Sequence, residues 1–61
     1  MTVSERKELA KNTNTPQETL AELSRDENWV VRCYVAQNPS TPLETLDILS
    51  RDQDESVRSN V

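Results

Sequence analysis

Few side chains in this chain have the types and spacing that catalysis requires. Cys33 is the single cysteine, and the 61 residues include no histidine that could activate its thiol. One cysteine without histidine also cannot supply the nitrogen and sulfur ligands of a zinc site. We therefore expect a buried, unreactive thiol, and we predict no catalytic residue, no metal and no cofactor.

Two glutamates are the remaining candidates for acid–base chemistry. Glu18 and Glu44 each end a Thr-Pro-x-Glu segment that begins at Thr15 or Thr41. Such a segment is typical of a capping box, in which the threonine hydroxyl accepts from the third helical amide and the glutamate reaches back to the cap. Proline suits the first helical position, where its missing N–H is not needed. We therefore predict structural roles for these four residues.

The elements that position these side chains are set by an internal repeat of 26 residues. Residues 5–30 align with residues 31–56, and twelve of the 26 aligned pairs are identical. Residues 57–61 open a third copy. The sequence therefore predicts one domain over residues 1–61, built from two full repeats and part of a third.

Each full repeat is predicted to hold two short helices. The Thr-Pro segments indicate that one helix begins after each threonine, and polar turns ending at Asn28 (or Asp26) and at Asp54 indicate the other. A Thr-x-x-Glu segment at Thr2 opens the first helix in the same way. Alternation of period two is not sustained, which excludes a β fold. The predicted class is all-α, with helices over residues 3–11, 16–25, 29–37, 42–51 and 55–61.

The residues that recur in both repeats predict helix ends where they are asparagine and core positions where they are apolar. Asn12 and Asn38 follow a helix where a left-handed residue is common, so we predict that conformation for both. Positions that are apolar in every copy predict the core: Leu9, Val35 and Val61; Ala10 and Ala36; Leu20 and Leu46; Leu23 and Leu49; Val31 and Val57.

An aspartate and an arginine recur six residues apart. Asp26 precedes Arg32, and Asp52 precedes Arg58. The arginines could grip an anionic ligand, but a structural role is favoured because the pair recurs with the repeat. We expect each aspartate to cap the next helix and to pair with the arginine that follows it.

The motif V-R-x-x-V-A-x-N-P-x-T-P-x-x-x-L-x-x-L-x-x-D runs from Val31 to Asp52. It resembles the leucine-rich repeat variant family, a set of short bacterial repeats within the HEAT-like and armadillo-like superhelical proteins. The resemblance implies a short α-solenoid, a right-handed superhelix of paired helices with a ladder of charged pairs between repeats. Thr13 replaces the proline of the motif and Glu5 replaces its first valine, so the first repeat is expected to be a polar terminal cap.

Several apolar residues from Trp29 onwards have a polar counterpart in another copy, so the fold does not require them to be apolar. They predict either an interaction surface, since tryptophan and tyrosine are frequent at interface centres, or a thicker core. Val57 and Val61 are added because the last helix is expected to show them to solvent. The candidate surface residues are Trp29, Cys33, Tyr34, Leu43, Val57 and Val61, with Val30 and Ile48 expected to lean towards the core.

The net charge of −4 argues against a protein that neutralises nucleic-acid phosphates. The absence of a long apolar run or a signal peptide predicts a cytoplasmic protein that does not bind membranes. The leading hypothesis is a non-catalytic module that binds another, unknown protein. The alternative is a homodimer through the C-terminal end, and a nucleic-acid-binding HEAT-like protein is a remote third; we expect no small-molecule substrate.

Overall fold

The computed structural model describes residues 1–60, which form five short α-helices and no strand. The predicted all-α class is confirmed for this part of the chain. The helices are α1 (Val3–Lys11), α2 (Gln17–Leu23), α3 (Trp29–Gln37), α4 (Leu43–Leu49) and α5 (Glu55–Arg58). The bounds of α1 and α3 are as predicted, α2 and α4 are shorter than predicted, and α5 ends at Arg58 instead of continuing through Asn60, while Val61 lies outside the described residues.

The central helix of the fold is α3, which packs against all four other helices. The first helices of successive repeats lie against one another, since α1 contacts α3 and α3 contacts α5. The second helices pack beside them, since α2 contacts both α1 and α3, and α4 contacts α3. The repeats therefore meet mainly through α1, α3 and α5.

The core consists of small and aliphatic side chains, as the repeat comparison predicts. Ala10, Leu20, Val31, Val35, Leu49 and Val57 have no exposed surface, and Leu23, Cys33 and Ala36 are nearly as buried. Leu9 and Leu46 were expected in this group but are only half-buried. The counterpart of Leu46 in the first repeat, Leu20, is covered by the repeat that follows it.

Side-chain caps begin three of the helices. Thr2 and Glu5 form the predicted capping box on α1, with Glu5 N–H donating to Thr2 Oγ1 at 3.2 Å and Thr2 N–H donating to Glu5 Oε1 at 3.0 Å. The hydrogen bonds with the backbone and side chain of Thr2 lower the pKa of Glu5. Asn28 and Asp54 cap α3 and α5 by accepting from the amide two residues later.

The two Thr-Pro-x-Glu segments do not form capping boxes, so that prediction is wrong. Pro16 and Pro42 occupy the cap positions of α2 and α4, where they make no side-chain hydrogen bond. The threonine hydroxyls turn back and donate instead to the preceding helix, Thr15 to Leu9 O and Thr41 to Val35 O, each at 2.7 Å. Carbonyls in the last turn of a helix lack partners within it, which explains this choice. The threonines are structural, but they finish one helix rather than begin the next.

The predicted left-handed conformation of Asn12 and Asn38 is also wrong, since their φ angles are −75° and −74°. Each side-chain oxygen accepts from the amide two residues on, which holds the backbone extended. The buried amide of Asn38 then donates to Ala10 O at 2.8 Å and to Asn12 O at 2.9 Å. Asn38 thus ties the second repeat to the end of α1.

The expected charged pairs between repeats are wrong, because Arg6 and Arg32 each pair with an aspartate of their own repeat. Arg32 forms a two-pronged contact with Asp52, with Nε 2.9 Å and Nη2 3.3 Å from the carboxylate oxygens, and both side chains are 11% exposed. Arg6 Nε lies 2.6 Å from Asp26 in the same relation, although its N–H is not aligned for a hydrogen bond. An arginine therefore pairs with the aspartate twenty residues later, in the following interhelical turn.

The aspartate six residues before each of Arg32 and Arg58 contacts that arginine through its backbone carbonyl and not through its carboxylate. Arg32 Nη1 donates to Asp26 O and Arg58 Nη1 donates to Asp52 O, each at 2.6 Å. The carboxylates of Asp26 and Asp52 accept from the amide two residues on, so they shape the turn before the capping residue. The guanidinium groups of Arg6 and Arg32 each make contacts at two places. Nη1 donates to a backbone carbonyl that precedes the arginine's own helix, Met1 O or Asp26 O, and Nε faces the carboxylate twenty residues later.

The different burial of two leucines predicts different losses of stability when each is replaced by alanine. Leu20→Ala should lower the free energy of unfolding by about 2–5 kcal/mol, because it opens a cavity at a side chain with 0% exposure. Leu43→Ala, at 83% exposure, should change it by less than about 0.5 kcal/mol. Urea denaturation followed by circular dichroism measures both, and equal losses would contradict the structure.

The inter-repeat role of Asn38 can be compared with that of its counterpart in the first repeat. Asn38→Ala should cost about 1–3 kcal/mol because it removes the buried hydrogen bond to the Ala10 carbonyl, while Asn12 O keeps the N–H of Thr15. Asn12→Ala removes only a local turn contact, so it should cost less than about 1 kcal/mol. Thermal or urea unfolding of both variants checks the difference, and a larger loss for Asn12→Ala would be inconsistent with these contacts.

Candidate interaction surface

Three large apolar side chains of α3 and α4 are exposed. Trp29 is 49% exposed, Leu43 is 83% exposed and Ile48 is 51% exposed. The expectation that Ile48 leans towards the core is wrong, whereas Leu43 is exposed, as a candidate surface residue should be. For Trp29, which was assigned either to a surface or to the core, the side chain is half exposed.

The first repeat shows that these exposed positions on α4 are not left bare by a missing neighbour. The counterparts of Leu43 and Ile48 are Gln17 and Glu22 on α2, and both are exposed although the second repeat packs against the first. The fold therefore accepts polar side chains there. The apolar character of the α4 positions is a property of the second repeat alone.

Carboxylates lie between the two exposed apolar residues of α4. Leu43 and Asp47 are four residues apart, as are Glu44 and Ile48, so the four side chains share the outward face of the helix. Residues 44, 47 and 48 are all exposed. The face combines two apolar side chains with two acidic ones, and we call these four residues the α4 face.

Trp29 and Tyr34 lie on different parts of α3. Trp29 is the first residue of the helix, directly after the Asn28 cap. Tyr34 is half-buried in the junction with α1, where Lys11 Nζ lies 5.0 Å from its ring centroid. Such a cation–π contact stabilises the junction by about 0.5–1 kcal/mol at an exposed site. Tyr34 therefore belongs mainly to the contact between repeats.

Cys33 does not lie on the surface with Trp29, which corrects the predicted patch. Its side chain is 7% exposed and belongs to the hydrophobic core. Burial raises the pKa of the thiol, with a smaller opposing effect from a hydrogen bond with Asn60. The expected buried thiol is confirmed, and its protonated form is favoured at neutral pH.

The predicted exposure of Val57 is wrong. Val57 has 0% exposure because α5 packs against α3 and turns this side chain into the core. Val61, which was predicted to extend the same surface, lies outside the described residues. The end of the second repeat is therefore already covered at α5.

The remaining candidate residues have mixed outcomes. Glu18 and Glu44 are exposed and make no capping contact, so the structure shows no structural role for them.

Within residues 1–60, no group of three or more His, Cys, Asp or Glu side chains could hold a metal ion. No helix among those residues has the length and hydrophobicity needed to cross a membrane.

A shallow groove on α1 was missed by the sequence reasoning. Its lining residues are Ser4, Glu5, Glu8, Leu9, Lys11 and Asn12. Their counterparts on α3 include Val31, Val35 and Asn38, which are buried. The alignment of Leu9 with Val35, which is buried, could have indicated this groove. Glu5 makes the groove more polar than the corresponding surface of α3.

Thiol accessibility gives a direct test of the buried position of Cys33. We expect an aromatic disulfide reagent at pH 7.5 to label the folded protein at least about tenfold more slowly than the urea-unfolded protein, because the thiolate is both buried and disfavoured. Labelling should accelerate as the pH rises towards the raised pKa. Absorbance of the released thiolate measures the rate, and equal rates for the folded and unfolded protein would contradict the structure.

Comparisons with known proteins agree with the repeat pattern. Residues 29–54 match the family model of the leucine rich repeat variant. This span begins at the first residue of α3 and ends at the cap of α5, so it contains one complete helix pair. No curated protein and no solved structure matches the chain. The resemblance to the leucine-rich repeat variant family is thereby confirmed for residues 29–54.

Proposed function

We propose that this chain is a non-catalytic protein-interaction module, built as a single domain and a short right-handed α-solenoid. The observation that carries the proposal is the exposure of Trp29, Leu43 and Ile48, because another copy of the repeat has a polar side chain at each of these positions, namely Glu55, Gln17 and Glu22. Neither helix formation nor the core requires apolar groups there. Contact with another protein accounts for all three.

The physical case rests on what these side chains gain when they are covered. Burial of an exposed Leu, Ile or Trp side chain removes apolar surface from water, at about 25 cal/mol per Å². Trp also buries a large area while few torsions are fixed, which makes it frequent among residues that dominate binding. The match of residues 29–54 to a repeat family supports the proposal, since such repeats are commonly interaction modules.

A homodimer is the second candidate, because a second copy could also cover these side chains. Val57 is buried and cannot contribute, so this dimer would have to use Trp29 or Leu43. Like charges oppose it, since residues 44–55 carry five acidic side chains against Arg51 alone. Sedimentation equilibrium over a range of concentrations distinguishes a monomer from such a dimer.

The proposed module can be tested with residues that other copies already carry. The variant Trp29→Glu/Leu43→Gln/Ile48→Glu introduces the residues found at positions 55, 17 and 22. We expect it to keep the helical circular dichroism spectrum and to recover at least about tenfold less partner in crosslinking and affinity capture. Val3→Glu, an exposed apolar-to-acidic change in the first repeat, is the matched control and should retain the partner.

Two outcomes would contradict the proposed function. One is equal recovery of the same partner by the wild type and the triple variant. The other is the absence of any specific partner of the wild type.

A further inference from the structure

Among residues 1–60, α4 is the helix that carries two large exposed apolar side chains. The α4 face pairs Leu43, at 83% exposure, with Ile48 at 51%. The same positions of α2 are polar and also exposed, so a further repeat packed on this end would leave the face uncovered. An occupant other than a neighbouring repeat is needed to cover it.

The carboxylates of Glu44 and Asp47 lie between these apolar groups. Arg51 Nη2 is 3.4 Å from Asp47, but the two side chains are 77% and 61% exposed. An exposed pair of this kind is worth about 0.2–1 kcal/mol, so it opposes an incoming cation only weakly. Glu44 forms no ion pair within the described residues.

Charge complementarity selects the sign of the occupant. Two further acidic residues, Asp54 and Glu55, follow α4 in the sequence, whereas Asp52 is paired with Arg32. A second copy, with a net charge of −4, would bring like charge to the face. A cationic segment would gain from the same carboxylates.

We propose that the α4 face binds a cationic amphipathic helix from another protein. Lys and Arg residues suit this arrangement because their aliphatic stems can cover Leu43 and Ile48 while their charged groups reach Glu44 and Asp47. The ligand presents these residues with Leu or Met at spacings of three and four, which places them on one face. This inference rests on the proposed function and specifies the chemistry of the partner.

A peptide titration tests the inference on the full 61-residue chain. The probe is a synthetic helix of about 18 residues with Leu on one stripe and Lys and Arg beside it. A second peptide has the same apolar residues and Glu at every basic position. Heteronuclear NMR spectra of the ¹⁵N-labelled protein report which amides shift.

We expect the cationic peptide to shift amides of residues 43–48 and the acidic peptide to leave them unchanged. Binding should weaken several-fold between about 50 and about 500 mM NaCl, because exposed charges are screened. Leu43→Gln/Ile48→Glu should raise the dissociation constant at least about tenfold. Glu44→Gln/Asp47→Asn should also raise it, while Glu22→Gln, on the corresponding part of α2, should not.

The outcomes separate this inference from the proposed function. Equal binding of both peptides at the α4 face, or shifts confined to another surface, would overturn the cationic ligand while leaving an interaction module in place. No shift with about 1 mM of the cationic peptide would also overturn it. The proposed function would then stand or fall on the partner-capture experiment alone.

Discussion

The contact between the two repeats is the constraint on which the rest of the structure depends. Neither repeat has enough apolar surface to form a core alone, so each must be held in one register against the other. Buried polar groups set that register, through the Asn38 amide on the end of α1 and through Arg32, whose guanidinium donates to Asp26 O in the first repeat and is oriented by Asp52. A slip between the repeats would leave these groups without partners, which is costly in a buried site.

The same constraint explains why the surface can vary. Residues that fill the core or cross the junction recur in both repeats, whereas outward positions on α2 and α4 carry Gln and Glu in one copy and Leu and Ile in the other. Binding groups can therefore change without disturbing the fold. Cys33 and Tyr34 are intermediate cases, because they differ from their counterparts and yet lie in the core or at a junction.

Periodicity made the helices and most of the core predictable, since burial of Leu20, Val31, Val35 and Leu49 follows from recurrence alone. Partner choice was not predictable in this way. Arg32 has an aspartate six residues before it and another twenty residues after it, and the sequence does not show which turn comes within reach. The role of Thr15 was predicted wrongly for a related reason. Its hydroxyl can form a hydrogen bond with either adjacent helix, and in the structure it donates to Leu9 O in the last turn of α1. The exposure of Ile48 depends on the orientation of α4, which hydrophobicity alone does not give.

The most direct measurement of the central claim is a double-mutant cycle on Arg32 and Asp52, using Arg32→Gln, Asp52→Asn and both together. The account predicts a coupling free energy of about 1–3 kcal/mol in urea unfolding, because the pair is buried and two-pronged. The same cycle on the exposed Asp47–Arg51 pair supplies the reference, at about 0.5 kcal/mol or less. Coupling at Arg32–Asp52 no greater than that reference would show that Asp52 does not hold the guanidinium that joins the second repeat to Asp26 of the first.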